Sequence, residues 1–381
     1  MNSIRLHSCG CALGSDSRQS ASLDVSDAID MHCHVFVPAA NERVFGMVEM
    51  QREQQAFLHA MGHASVEHNR QVMMPAAFEQ LTRVDTRLAD MNANGIAIQC
   101  LSPSPSQYFY WADASLSAEL VLMQNNAIAE LCQRWPERFV GLGTVSLQHP
   151  QLAVEQLVEL MLQPGMKGVE ISTRVNDMDL DDAALLPFWQ AAEQLGALVF
   201  IHPFSSRVDD RLQDWYLSNL VGQPLESTIA LSRLIFAGLF DRFPNIRILS
   251  AHGGGYLPQY CGRHNRGADV RPEAAGLSQP PADYLNNIWF DSLVFSPHSL
   301  RHLVDQVGIG QVVLGTDYPF DMGSEMAQPW LNVLTPEERQ AVLRDNAIRL
   351  LGLTVPQVTN DDECSSSLPA AAATGSGKEF L

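Results

Sequence analysis

Short apolar, β-branched runs recur through the middle of the chain and read as strands. They are Ile29–His34, Ile96–Leu101, Phe139–Leu147, Lys167–Ile171, Leu198–His202, Ile246–Ala251, Ile288–Asp291 and Val312–Asp317. Helical spacing fills the gaps between them. Leu81, Val84, Leu88 and Met91 recur with a period near 3.6 and are closed by Asn94-Gly95. Leu152 to Leu162 stops at Pro164-Gly165, and Glu226 to Phe243 stops at Pro244. Eight parallel-type strands, each followed by a helix or long loop, predict an α/β fold of the (β/α)8, TIM-barrel kind. The competing arrangement is an open doubly wound sheet, but no glycine-rich phosphate turn follows the first strand. No internal repeat is present.

The ends differ from the middle. Residues 1–23 are rich in Ser, Gly and small polar side chains, and residues 356–381 are low in complexity, so both are expected to be disordered tails. That leaves 24–355 as the barrel, with an insertion at 37–80 after the first strand. In a barrel this insertion overhangs the C-terminal mouth, where barrel enzymes keep their chemistry, and is expected to act as a lid or pocket wall.

Composition narrows the function classes. Hydrophobic residues make up 46 % of the 381, enough to bury a sizeable core. The net charge of −19 argues against nucleic acid and anionic membranes as partners, though not against a small acid held by one or two local cations. No apolar run approaches the roughly 18 residues of a membrane span. The seven cysteines are scattered, with no CxxC pair, which argues against a disulfide framework and a thiolate zinc site and fits a reducing cytoplasm.

Candidate chemistry sits at the strand ends. The first run ends in His32-Cys33-His34, "LVFIHPF" ends in His202, "ILSAHGGG" in His252 and "VVLGTDYPF" in Asp317. Residues two apart on a strand point the same way, so His32 and His34 share a face and Cys33 turns from it. Cys33 therefore reads as a small buried hydrophobe rather than a reactive thiol. Imidazole nitrogens and carboxylate oxygens bind zinc and related ions at about 2 Å. His32, His34, His202 and Asp317 converge only if the sheet closes and brings strands one and eight together. The fold and metal readings thus support each other. His252 precedes three glycines that let backbone approach a ligand. It is either a fourth imidazole ligand or, the preferred reading, an acid/base beside a metal-bound water. His59, His63, His68, His298 and His302 read as surface residues, and His264 as a candidate support for the site.

These motifs, with "ERFVGLGTVSLQHPQLAVEQL", "GVEISTRVNDMDLDD", "LVGQPLESTIA" and "NAIRLLGL", resemble the decarboxylase branch of the amidohydrolase superfamily over about Ile29 to Leu353. Within it the chain looks most like the aminocarboxymuconate-semialdehyde decarboxylases. The resemblance implies a divalent ion, usually Zn2+, on His32, His34, His202 and Asp317, with His252 activating water or donating a proton. It implies loss of CO2 from a small unsaturated or aromatic acid, the best candidate being 2-amino-3-carboxymuconate-6-semialdehyde. Two routes stay open: hydroxide addition to the carbon bearing the carboxylate, or protonation of a ring carbon by Asp317 or His252. An ortho-hydroxy aromatic acid, or hydrolysis of a lactone or amide, is the alternative. A homodimer is implied, with Arg271 of a second copy gripping a substrate carboxylate and another arginine in the insertion, for which Arg70 is the candidate. Phe204 stands where similar enzymes tend to have Trp, so it is expected to touch substrate.

Overall fold

The structure, a computed structural model, describes residues 27–204, 210–324 and 328–354; both expected tails lie outside them. Eight strands form one sheet: β1 (Ala28–Val35), β2 (Ile96–Pro103), β3 (Phe139–Gly143), β4 (Met166–Ile171), β5 (Leu198–Ile201), β6 (Arg247–Ser250), β7 (Ile288–Asp291) and β8 (Val312–Val313). They lie in sequence order and every neighbouring pair is parallel. Each predicted strand is present, with ends shifted by a few residues. β8 is the shortest, yet the chain beyond it still pairs with β1. Met31 N–H donates to Leu314 C=O at 2.9 Å and His34 N–H to Tyr318 C=O at 2.8 Å, closing the barrel.

The interior is filled from all sides by Ile29, Met31, Val140, Leu142, Phe200, Leu249 and Val313. Ala347, Leu350 and Leu351 of the last helix, Asn346–Leu351, pack into the same cluster. Strict alternation along β1 would carry Cys33 inward after Met31. A bulge prevents this: Asp30 pairs with Gln99 but Cys33 with Leu101, so three steps of β1 face two of β2. Beyond the bulge His32 and His34 face inward, while Cys33 and Val35 join the layer under the helices. Asp30, fully buried beside the bulge, ties the seam. It accepts from Thr316 Oγ1 at 2.7 Å, Thr316 N–H at 3.1 Å and His32 N–H at 3.2 Å. Burial pushes its carboxyl up to about 6 against these bonds.

The insertion is helical: Pro38–Val44, Val48–Met61, His63–His68 and Met74–Thr82, with one wide turn at Asn69–Met73. The pattern read as one helix through Leu81 and Met91 is two, parted at Arg83, whose φ of −113° and ψ of 117° are extended. Likewise Glu226–Phe243 divides into Gln223–Phe236 and Leu239–Arg242 at Gly238, φ +71°. Arg87, 2 % exposed on the helix Val84–Ala93, fastens the insertion to the barrel. Its guanidinium donates to Gln99 Oε1 at 2.9 Å, to Gln80 C=O at 3.1 Å and to His34 C=O, and lies 4.8 Å over the Tyr318 ring. No helix among the described residues is long and apolar enough to cross a membrane.

Candidate active site

The five predicted site residues of the strand ends meet at the C-terminal rim of the barrel. His32 and His34 come from β1, past the bulge. His202 follows β5 and continues its ladder, N–H to Ile171 C=O at 2.9 Å. His252 and Asp317 follow β6 and β8 in left-handed backbone, φ +55° and +57°. The turn at His252 depends on the glycines after it. A Cβ at Gly253 would sit 2.4 Å from Val294 Cγ1, and one at Gly255 2.0 Å from Pro224 C=O.

His32, His34, His202 and Asp317 each offer a ligand atom, all within 4.8 Å of one another. Asp317 Oδ1 lies 3.1 Å from His34 Nε2 and 3.3 Å from His32 Nε2, without hydrogen-bond geometry. Those nitrogens, that oxygen and both ring nitrogens of His202 are buried and unpartnered. Buried polar atoms are otherwise almost always satisfied, and three imidazoles with one carboxylate are a donor set suited to a divalent cation. His252 is not one of the four grouped residues, though its ring lies about as close to theirs as they do to one another, and its Nδ1 is likewise buried and unpartnered. Its Nε2 is 3.6 Å from Asp317 Oδ2, and its ring centre 5.3 Å from that of His32 and 5.1 Å from that of His202.

The other ring nitrogens of the β1 pair are held from behind. His32 Nδ1 lies 2.6 Å from Asp291 Oδ2. His34 Nδ1 is shared between Pro103 C=O at 3.2 Å and Ser102 Oγ at 3.3 Å; Glu170 Oε2 stands 3.4 Å away without hydrogen-bond geometry, while Tyr108 OH donates to Glu170 Oε1 at 2.6 Å. Burial opposes a charge on His32 and His34, but the surrounding carboxylates outweigh it. Asp317 and Asp291 raise His32 to about 10, and Glu170 and Asp317 raise His34 to about 9. Burial and the neighbouring imidazoles hold His202 well below its ordinary value. Burial raises the Asp317 carboxyl, yet His32, His252 and His34 together hold it well below the usual carboxylate range. Asp291 and Glu170, both fully buried, were not singled out from sequence. Asp291 closes an apolar run just as Asp317 does, and Glu170 is a lone charge inside "GVEI"; those were the available signals.

A cavity of about 600 Å³ opens onto His202, His252 and Asp317. The insertion supplies Phe57, Met61, Met73 and Met74 to its wall. Phe204 also lines it and stacks on Phe57, ring centres 5.5 Å apart and 14° from parallel. Among the described residues none of the lining side chains is Lys or Arg. Arg70 is not brought to the cavity: its neighbour Asn69 faces inward, while Arg70 lies at the surface on Glu67, 2.6 Å away. Arg271 follows the helix Leu257–Val270 and is exposed, outside the lining of its own chain's cavity. His264 bonds Ser232 Oγ at 2.9 Å and stacks on Phe236, so it does not support the site as expected. Cys33 is buried against Cys100 C=O, and burial lifts its thiol well above the ordinary value.

Residues 29–353 match the amidohydrolase family model. The chain belongs to the amidohydrolase family. The 2-amino-3-carboxymuconate-6-semialdehyde decarboxylase of Dictyostelium discoideum is 35 % identical over 274 residues, 71 % of this chain and 76 % of that one. The γ-resorcylate decarboxylase of Rhizobium radiobacter is 29 % identical, over 71 % of this chain and 87 % of its own. In fold the amidohydrolase is similar to the 5-carboxyvanillate decarboxylase of Novosphingobium aromaticivorans, solved with manganese and 4-hydroxy-3-methoxy-5-nitrobenzoic acid. That structure superposes with a TM-score of 0.75 at 22 % identity, covering 86 % of this chain and 96 % of that one. These relatives set this amidohydrolase in the decarboxylase branch, as a metal-dependent carboxy-lyase.

Proposed function

We propose that this amidohydrolase removes CO2, without redox chemistry, from a small conjugated carboxylic acid, foremost 2-amino-3-carboxymuconate-6-semialdehyde. The carrying observation is the cluster of buried, unpartnered His and Asp atoms opening into a largely apolar cavity. His32, His34, His202 and Asp317 would hold the ion, with Zn2+ expected first for this nitrogen-rich set and Mn2+ as the alternative. An ion bound there would supply Lewis acidity toward a substrate oxygen and lower the pKa of a water beside it. His252, beside Asp317 and open to the cavity, moves the proton, ending on the carbon that has lost its carboxylate. The Phe57–Phe204 pair offers a flat face to a conjugated substrate. A second copy supplies Arg271 to a substrate carboxylate, whose planar fork suits bidentate binding.

One observation favours a second substrate class. An ortho-hydroxy aromatic acid carries a single carboxylate, and no Lys or Arg lines the cavity among the described residues. The γ-resorcylate decarboxylase among the relatives points the same way. CO2 release from both acids, assayed with zinc-loaded and with manganese-loaded protein, decides between them. Release from neither, with metal bound, would sink the proposal.

A further inference from the structure

Asp291 does more than fill the end of β7. It is fully buried, and each of its oxygens is engaged twice. Oδ2 lies 2.6 Å from His32 Nδ1 and accepts His252 N–H at 2.9 Å. Oδ1 accepts Gly253 N–H at 2.8 Å and Leu293 N–H at 3.2 Å. The surroundings are cut to allow this approach. A Cβ on Gly315 would sit 2.7 Å from Asp291 Cβ and 2.8 Å from His32 Cβ, so only glycine lets the two side chains meet there. The turn that Asp291 grips is strained as well. His252 has φ +55° although it carries a side chain, a conformation that persists only when its surroundings hold it.

We infer that Asp291 is a positioning residue that sets the metal-ligand ring of His32 and the acid/base His252 together. The inference rests on the roles proposed above for these two histidines. Accepting from Nδ1 leaves the His32 lone pair on Nε2, directed at Asp317 and the other imidazoles. Accepting from the His252 and Gly253 amides fixes the left-handed turn and hence where the His252 ring stands. His34 has no equivalent: its Nδ1 is shared between a backbone carbonyl and a hydroxyl, and the nearby Glu170 carboxylate makes no hydrogen bond to it. One carboxylate therefore links ligand geometry to proton transfer.

Two substitutions separate charge from placement. Asp291→Asn keeps the shape but has one acceptor oxygen, so its amide NH2 meets either the His32 ring or the Gly253 and Leu293 amides. Asp291→Glu keeps the charge but is longer by a methylene and cannot fit beside Gly315. Zinc affinity is measured by chelator competition, and kcat and KM at saturating zinc. For Asp291→Asn we expect affinity to fall about 10–100-fold and kcat at full zinc occupancy to stay about 100-fold down, with KM nearly unchanged. Asp291→Glu should show the kcat loss also. A kcat restored by excess zinc, or an affinity within twofold of the wild type, overturns the inference. Should neither variant fold, NMR of zinc-loaded wild type with 15N-labelled histidine decides. A proton on His32 Nδ1 and a slowly exchanging His252 amide support it; a bare Nδ1 or a fast-exchanging amide overturns it. A wild type that decarboxylates no acid would refute the proposed function alone, because the affinity and NMR readouts would still judge Asp291.

Discussion

His32 Nε2, His34 Nε2, Asp317 Oδ1 and both nitrogens of His202 are buried without hydrogen bonds. Each such atom costs about 1–3 kcal/mol unless something binds it. An ion that binds the folded chain and not the unfolded one lowers that cost and shows as stability. Adding Zn2+ to chelator-treated protein should raise Tm by roughly 4 °C, from about 2.7 kcal/mol at a hundredfold excess over Kd. In His202→Ala the shift should vanish and bound metal should fall below what elemental analysis detects. A full shift in that variant would remove His202 from the ligand set. Cys33 gives the opposite expectation. Lying between His32 and His34, it is wholly buried under the helices. Iodoacetamide should leave Cys33 unmodified in the native protein and alkylate it after denaturation, read by peptide mass spectrometry; native labelling would refute its outward, buried placement. At this scale the residues that the sequence offers as polar ends of apolar runs are the ones the fold brings together at the barrel rim. Asp291 and Glu170 escape a sequence reading because their neighbours in space, His32 and His34, lie far away along the chain, and a single charge in a strand does not announce them.

Among the elements, strands were more legible than the helices that decorate them. An apolar run surrounded by helices has few alternatives, whereas helix breaks depend on local backbone. Arg83 and Gly238 divide what periodicity read as continuous helices. The β1 bulge was also invisible, since an extra residue changes pairing without changing the apolar pattern. The insertion illustrates the same limit. Its position over the mouth followed from the barrel, but its sequence did not show that Phe57 would stack on Phe204. That pair should contribute to substrate binding, so Phe57→Ala should raise KM by roughly 3- to 10-fold, the worth of an aromatic pair of about 0.5–1.5 kcal/mol, with kcat changed less. Steady-state kinetics checks this, and an unaltered KM would put the helix Val48–Met61 beyond the substrate's reach. Arg87 joins the insertion to the ligand strand. Arg87→Met strands the carbonyls of Gln80 and His34 and the amide oxygen of Gln99, and should destabilise the fold by about 3 kcal/mol or more, read as a lower midpoint in urea unfolding.

For the molecule as a whole, one chain accounts for the metal cluster and for an apolar cavity, but not for a cation to meet a carboxylate among the described lining residues. Arg70 is engaged by Glu67 at the surface, whereas Arg271 is exposed at the end of its helix. Arg271 is absent from the lining of its own chain's cavity, and is proposed above to serve another copy's. A two-fold dimer would make this reciprocal, each copy lending Arg271 to the other's site. The arrangement is testable by mixing two variants that are each inactive, Arg271→Ala and His252→Ala. In a mixed dimer one site lacks His252, but the other has its own His252 and receives Arg271 from the His252→Ala copy. Random exchange makes half the dimers mixed with one good site each, so the mixture should recover about a quarter of wild-type activity under two-fold symmetry. Mixing without subunit exchange, checked by keeping the variants apart until assay, should recover none. If the exchanged mixture stays inactive while both variants retain metal and dimerise, Arg271 does not act across an interface, and the carboxylate must be held from within one chain.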